Sequence, residues 1–188
     1  MLDISVGLRE LTNVREIHVV AVQNEVKELL WVLQRGHTGN PKIVTANING
    51  AVIDTFDFHW NQECNAVLGA PERFLYEPNA ALLKSGAFQI LSEAYRVRKL
   101  HRHTHLYTSE ALRDFPGRRF IIEQVVPYRK KEIKNALTFS QANVTTRNFP
   151  ESVAALRKKW KLKDGGTHYL FFTTLLNDEK ALLITSKI

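Results

Sequence analysis

Three histidines fall at alternate positions in "KLHRHTHLYTS", residues 99–109: His101, His103 and His105. On one extended strand alternate side chains share a face. Three imidazoles on a face can hold a catalytic zinc with one position left open. The neighbours argue the other way. Arg96, Arg98, Lys99 and Arg102 crowd the run, and the first downstream carboxylate is Glu110. A cation-rich setting opposes a dication and lacks the carboxylates that orient zinc-bound histidines. The expectation is a basic, partly titrating strand and no metal site.

Phosphate chemistry has more support. Basic residues recur as Arg118 and Arg119; as Arg129, Lys130 and Lys131 with Lys134; and as Arg157, Lys158 and Lys159 with Lys161 and Lys163. Contacts to a phosphate backbone need cations and tolerate loose spacing, because the attraction is electrostatic. Arg147 and Asn148 come just before Pro150, near an expected helix start, which itself attracts anions. The same residues could simply be the solvated sides of short helices, and spacing alone does not separate the two. No pair of aromatics alternates with the cations as a base-stacking platform would, and Trp160, Phe171 and Phe172 read as core. No nucleophile stands beside a base: Cys64 follows Glu63, and Ser85 and Ser92 lie on an expected helix. No catalytic, cofactor-binding or metal residue is assigned in this chain.

The elements that must carry these residues follow from the pattern. The 188 residues are 44% hydrophobic and 24% charged, a globular profile with room for one good core or two small ones. The single cysteine excludes a disulfide framework within the chain, so a reducing, cytoplasmic setting is expected. No apolar run reaches the roughly 18 residues of a membrane helix, and no membrane partner is expected. Net charge is +7 but uneven: residues 1–72 carry −4 and residues 73–188 carry +11. Such a step suggests two units, the second facing a polyanion.

Residues 1–62 read as α/β. Val6, Leu8 and Leu11 stripe a short helix, "EIHVVAV" (16–22) is a strand buried on both faces, and "NEVKELLWVLQRG" (24–36) is a helix capped by Asn24. "KIVTANI" (42–48) and "AVIDTFDFHW" (51–60) are strands. Strand, helix, strand and adjacent strand form the closing half of a doubly wound sheet. Its opening strand and Gly-rich turn are absent, so the chain is expected to be the C-terminal part of a longer protein, with Met1 internal to it. Residues 63–73 are the linker, within a Gly- and Pro-containing stretch running to 79. The remainder reads as α+β: a helix over 79–97, extended chain at 99–109, a strand at 118–128, and a basic helix from 129. A strand at 141–149 follows, then a helix from Pro150 and a terminal hairpin across "NDEK".

Several stretches resemble a known family. "FPGRRFIIEQVVPYRKKEIKNAL" and "RNFPESVAALRKKWKLKDGGTHYLFFTTL" are similar to the THUMP-like domain that ends a group of bacterial class I S-adenosylmethionine-dependent methyltransferases. "FLYEPNAALLKSGAF" through "THLYTS" resembles the small ferredoxin-like module before it, and "LDISVGLREL" through "ELLWVLQ" the last elements of a Rossmann-like methyltransferase fold. The resemblance implies a methyltransferase portion at 1–62, a ferredoxin-like module at 74–113 and a THUMP-like α/β domain at 114–188. It implies RNA, such as tRNA, as partner through the basic residues named above. S-adenosylmethionine is implied for the parent protein, and the missing N-terminal methyltransferase half is a further partner. The alternative is a non-catalytic structural or protein-interaction module with a basic surface. If segment 1–62 does not stay ordered without its missing sheet partners, exposed Val19, Val20, Leu29 and Trp31 are expected to favour self-association. Within "KLHRHTHLYTS" the resemblance narrows interest to Thr104, His105 and Tyr107, leaving His101 and His103 incidental.

Overall fold

Gln23 and Asn24 set the topology of the N-terminal unit in the computed structural model, which describes residues 3–188. Both have left-handed backbone, with φ of 51° and 61°. A two-residue turn of that kind matches the twist of paired strands, so β1 (Val14–Val22) folds directly back into β2 (Glu25–Leu33). The helix expected over 24–36 is therefore a strand. Asn24 does not cap a helix; it occupies the turn, and its side-chain oxygen accepts the Ala80 amide at 2.8 Å. The helical spacing of Val26, Leu29, Leu30 and Leu33 misleads because β2 is an edge strand whose inward face, with Val26, Leu29 and Trp31, is only half-buried. Its outward face also carries apolar residues, with Leu30 50% and Leu33 55% exposed, so the alternation of burial leaves no polar–apolar alternation in the sequence.

β3 (Lys42–Asn49) pairs parallel with β1, and β4 (Val52–His59) returns antiparallel, giving a four-stranded mixed sheet in the order β2-β1-β3-β4. Ile17, Val19, Ala21 and Ile43 fill its buried face, against which α2 (Ala80–Ser85) packs. α1 (Ile4–Glu10) is capped by Asp3, whose carboxylate accepts the Ser5 amide at 2.8 Å. Asn79 caps α2 as expected, accepting the Leu82 amide at 3.0 Å. The single helix expected over 79–97 is broken: Gly86 takes φ 79° and ends α2, and α3 (Ile90–Ala94) follows separately.

The chain divides into two units: residues up to Asn65 with Pro78–Ile90, and Ala66–Glu77 with Leu91–Ile188. The second is built on a seven-stranded sheet. Its strands are β5 (Phe74–Pro78), β6 (Arg98–His101), β7 (Thr104–Ser109), β8 (Gly117–Pro127), β9 (Asn143–Arg147), β10 (His168–Thr174) and β11 (Lys180–Lys187), in the order β6-β7-β5-β8-β11-β10-β9. β5 falls inside the stretch that its prolines and glycine mark as loop. α4 (Lys130–Ala136) and α5 (Val153–Trp160) complete the unit, and α5 starts at Val153, capped by Ser152, rather than at Pro150.

Alternation along β10 and β11 separates two cores. Leu170, Phe172, Leu182 and Ile184 pack with Val126, Ile133 and Leu156 beneath α4 and α5. Phe171 and Leu183, pointing to the other face, pack with Phe120 and with Leu75, Leu100 and Leu106 of β5, β6 and β7. The sheet coils until its ends meet. Arg147 at the end of β9 reaches Glu77 at the end of β5, and Asn148 donates to the Thr104 hydroxyl at 3.3 Å. Thr104 in turn donates to the Thr174 carbonyl at 2.8 Å.

This closure places the histidines. They do not share one strand: a turn at Arg102 and His103 separates β6 from β7. His101 is buried, its Nδ1 facing the His103 amide at 3.1 Å and the Asn148 side-chain nitrogen at 3.2 Å, and its Nε2 3.0 Å from Asp178. Nδ1 accepts, so Nε2 donates to Asp178. Far from incidental, His101 ties β6 to the loops after β9 and β10. His105 is half-buried and held neutral well below its ordinary range, at about 4, by burial and then by the nearby charges of Lys99, Arg147 and His103. Burial likewise brings the Lys99 amine down to about 8.

The unfolded chain takes up the His105 proton near pH 6.5 and the folded chain only near 4. Stability contributed by neutral His105 is thus complete above pH 6.5 and drains away as pH falls toward 4. Urea midpoints of the wild type are expected to drop across that interval more steeply than those of His105→Asn. Parallel pH profiles would remove His105 as the cause.

Candidate nucleic-acid interface

α4 and α5 lie on the same side of the sheet because Ile133 and Leu156, fully buried, belong to one core. Both helices are short and amphipathic, so what they do not bury they present outward. Their outward residues are the cations. Arg129, Lys130, Lys131 and Lys134 come from the start and outer side of α4, and Lys158, Lys161 and Lys163 from α5 and the segment after it. All are exposed and make no ion pair among the described residues.

The other expected contact residues are engaged within the chain. Arg118 and Arg147 both bind Glu77, which is only 3% exposed: Arg118 Nε donates to Oε2 at 2.6 Å and Arg147 to Oε1 at 2.6 Å. Arg119 pairs with Asp114 at 3.2 Å, and Arg157 pairs with Asp164. Asn148 serves His101 and Thr104. The structure therefore gathers the α4 and α5 cations on one helical layer and sets Arg118 and Arg147, each half-buried, around the buried Glu77.

Lys159 forms part of a tight polar and aromatic group. Its ammonium is 3.0 Å from both Glu151 oxygens, donates to the Tyr128 hydroxyl at 2.9 Å, and stands 5.1 Å from the Tyr128 ring centre and 5.6 Å from that of Trp160. Tyr128 donates to Glu151 at 2.5 Å. Hydrogen bonds from Tyr128 and Lys159 hold the Glu151 carboxyl below its ordinary range, and bonding to Tyr128 and Glu151 raises Lys159. Burial, then the bond to Glu151, raises the Tyr128 phenol. Tyr128 and Trp160 were hidden in the sequence. Trp160 has the spacing of a core residue, yet it is only half-buried and stands beside Lys159. The available signal was the aromatic immediately before a basic triplet in "PYRKK".

The turns of the first sheet offer no phosphate cradle. β1 passes through Gln23–Asn24 into β2, and β3 through Gly50 into β4, so neither strand feeds a glycine-rich turn into a helix. Among the described residues no group of histidine, cysteine and carboxylate side chains could hold a metal, and no helix is long and apolar enough to cross a membrane.

Comparison with known proteins fits this geometry. Residues 117–187, which carry both helices and the basic layer, match a THUMP domain-like family model. This segment is THUMP-like. Residues 74–116 match a ferredoxin-like domain family. One solved structure, described as "putative methyltransferase from Porphyromonas gingivalis W83", superposes with a TM-score of 0.88 at 36% sequence identity over 96% of this chain. The chain spans 47% of that protein's length. No curated protein matches the sequence. The THUMP-like and ferredoxin-like segments share the core around Phe171, so the two family segments are parts of one folded sheet.

Proposed function

We propose that this chain is the C-terminal, RNA-binding portion of a bacterial S-adenosylmethionine-dependent RNA methyltransferase of class I. Residues 1–62 contribute to its methyltransferase half as a small four-stranded mixed sheet, in which the β1–β2 hairpin stands where a Rossmann-like closing half would have strand–helix–strand. Modules at 74–113 and 114–188 hold the substrate, with tRNA as the natural candidate. The observation that carries the reading is the layer of unpaired cations on α4 and α5 within a THUMP-like domain. Likeness to a methyltransferase of about twice this length supports the remainder. Cofactor and catalytic groups belong to the N-terminal half, and no residue here is assigned to them.

The first sheet supports a partner of that kind. Register places Val22, Leu30, Val32 and Ile53 on the face opposite its buried one, each between 37% and 57% exposed. That face suits the rest of the methyltransferase domain. In the chain alone it favours self-association, which sedimentation at rising concentration would reveal; a strict monomer at high concentration would count against it.

RNA affinity should fall steeply with salt. Reversing charge at Lys131 and Lys158 together should lower the salt slope by about two and weaken binding by roughly tenfold or more near physiological salt. On the competing view, in which the basic face serves a protein partner, these changes leave RNA binding untouched. A chain with no affinity for tRNA at low salt would overturn the reading.

A further inference from the structure

The start of α4 and the end of α5, distant in sequence, meet around a surface cavity of about 490 Å³ lined by Tyr128, Arg129, Lys130, Lys159 and Trp160. Its walls are of two kinds. Tyr128 and Trp160 meet edge-to-face, at 82° with centres 6.4 Å apart, and Lys159 stands over both rings, so a base must use the ring surface that Lys159 leaves open. Tyr128 is also set edge-on to Phe149 and Phe172, which fixes its ring, while Glu151 fixes its hydroxyl. Arg129 and Lys130 are exposed cations at the rim, in line with Lys131.

We infer that this cavity takes one unstacked nucleotide of single-stranded RNA. Its base lies against the Trp160 and Tyr128 walls and its phosphate lies on Arg129 and Lys130. The inference rests on the RNA-binding reading above and narrows it to a position and a strand state. Size agrees, since cavities of about 300–1,000 Å³ hold ligands of this scale. The chemistry agrees too: aromatic walls accept any base by its π-face, while adjacent cations take the backbone. A paired base stacked in a duplex cannot present its face to such walls, so a splayed nucleotide is required. Direction follows from charge. The cavity adjoining on the other side of Tyr128 and Arg129 sets Asp178 and Glu179 against Arg129 and Lys180, so it has no net positive charge to draw phosphate, whereas Lys131 and Lys158 are exposed cations. The backbone therefore continues over α4 and α5, toward Lys131 and Lys158.

The full chain should be titrated with a short fluorescent single-stranded RNA and with a duplex of equal length. Trp160→Leu is expected to weaken single-strand binding about tenfold with the salt slope unchanged, and to leave duplex binding as it was. Lys130→Ala should lower the slope by about one for the single strand. Binding should also quench tryptophan fluorescence in the wild type. Trp160→Phe, which preserves the ring packing, should lose that quench, and this reading holds even where Trp160→Leu fails to fold. If Trp160→Leu binds the single strand like the wild type, or Trp160→Phe keeps the full quench through Trp31 and Trp60, the cavity is not the site while RNA binding stands. If neither RNA binds the wild type at low salt, the RNA-binding reading falls and the cavity with it.

Discussion

Replacing Glu77 by alanine should lower the unfolding free energy by about 3 kcal/mol, because it leaves two guanidinium groups facing each other at a site closed to water on one side. Glu77 is 3% exposed and is the shared acceptor of Arg118 and Arg147. The arginines themselves are 37% and 35% exposed, so water relieves part of their repulsion, and the loss stays at the lower end for a broken buried pair. The cluster joins β5 and β8 to β9, so it helps hold the ends of the coiled sheet together. Urea unfolding of the full chain at neutral pH reads the loss, and added salt should recover part of it by screening the two cations. An unchanged midpoint would show that the cluster contributes only geometry. The companion expectation concerns function. Arg118→Ala and Arg147→Ala should act mainly on stability, whereas Lys131→Ala and Lys158→Ala should act mainly on RNA affinity. The structure makes this division where the sequence groups all four as phosphate contacts.

Phe171→Ala should be costlier still, about 4 kcal/mol, as expected for deleting a fully buried aromatic ring. Phe171 meets Phe120 edge-on at 5.0 Å and packs in the core that Leu75, Leu100 and Leu106 share with Leu183. Part of this core comes from the segment matched as ferredoxin-like and part from the segment matched as THUMP-like. The substitution should therefore loosen both segments together. Amide exchange in β5, β6 and β7 should quicken as much as exchange in β10 and β11. Protection lost only in β10 and β11 would mean that the two family segments fold as separate units. By the same reasoning, a fragment starting at 117 exposes Phe120, Phe171 and Leu183 and should aggregate rather than fold.

How much was legible follows the strength of each local signal. β1, β3, β8 and the β10–β11 hairpin lie where β-branched and aromatic runs are long and bounded by turns, and such runs have few alternatives. The cap Asn79 acts through its side chain and an amide three positions on, so its meaning is local. The apolar residues of β2 follow a helical spacing, while its pairing is decided at Gln23–Asn24. A mirror-image turn can be written with Gln-Asn, but that pair advertises it far less than Asn-Gly does. The single expected helix over 79–97 failed at Gly86, whose left-handed backbone ends α2, although its sequence context tolerates helix.

By itself, the sequence determined that this chain is an α/β protein with an acidic first part and a basic second part, and that cations cluster on short amphipathic helices. These properties follow from composition and from nearest neighbours along the chain. Only the tertiary structure decided which cations are free. Whether Arg147 meets Glu77, Lys159 meets Glu151, or Trp160 meets Tyr128 depends on a sheet that coils to bring β9 to β5 and packs α5 beside the start of α4. Such pairings join residues remote in sequence, and electrostatic and aromatic contacts leave no periodicity to read. The same holds for His101, whose neighbours His103, Asn148 and Asp178 come from a turn and two loops that meet only when the sheet closes.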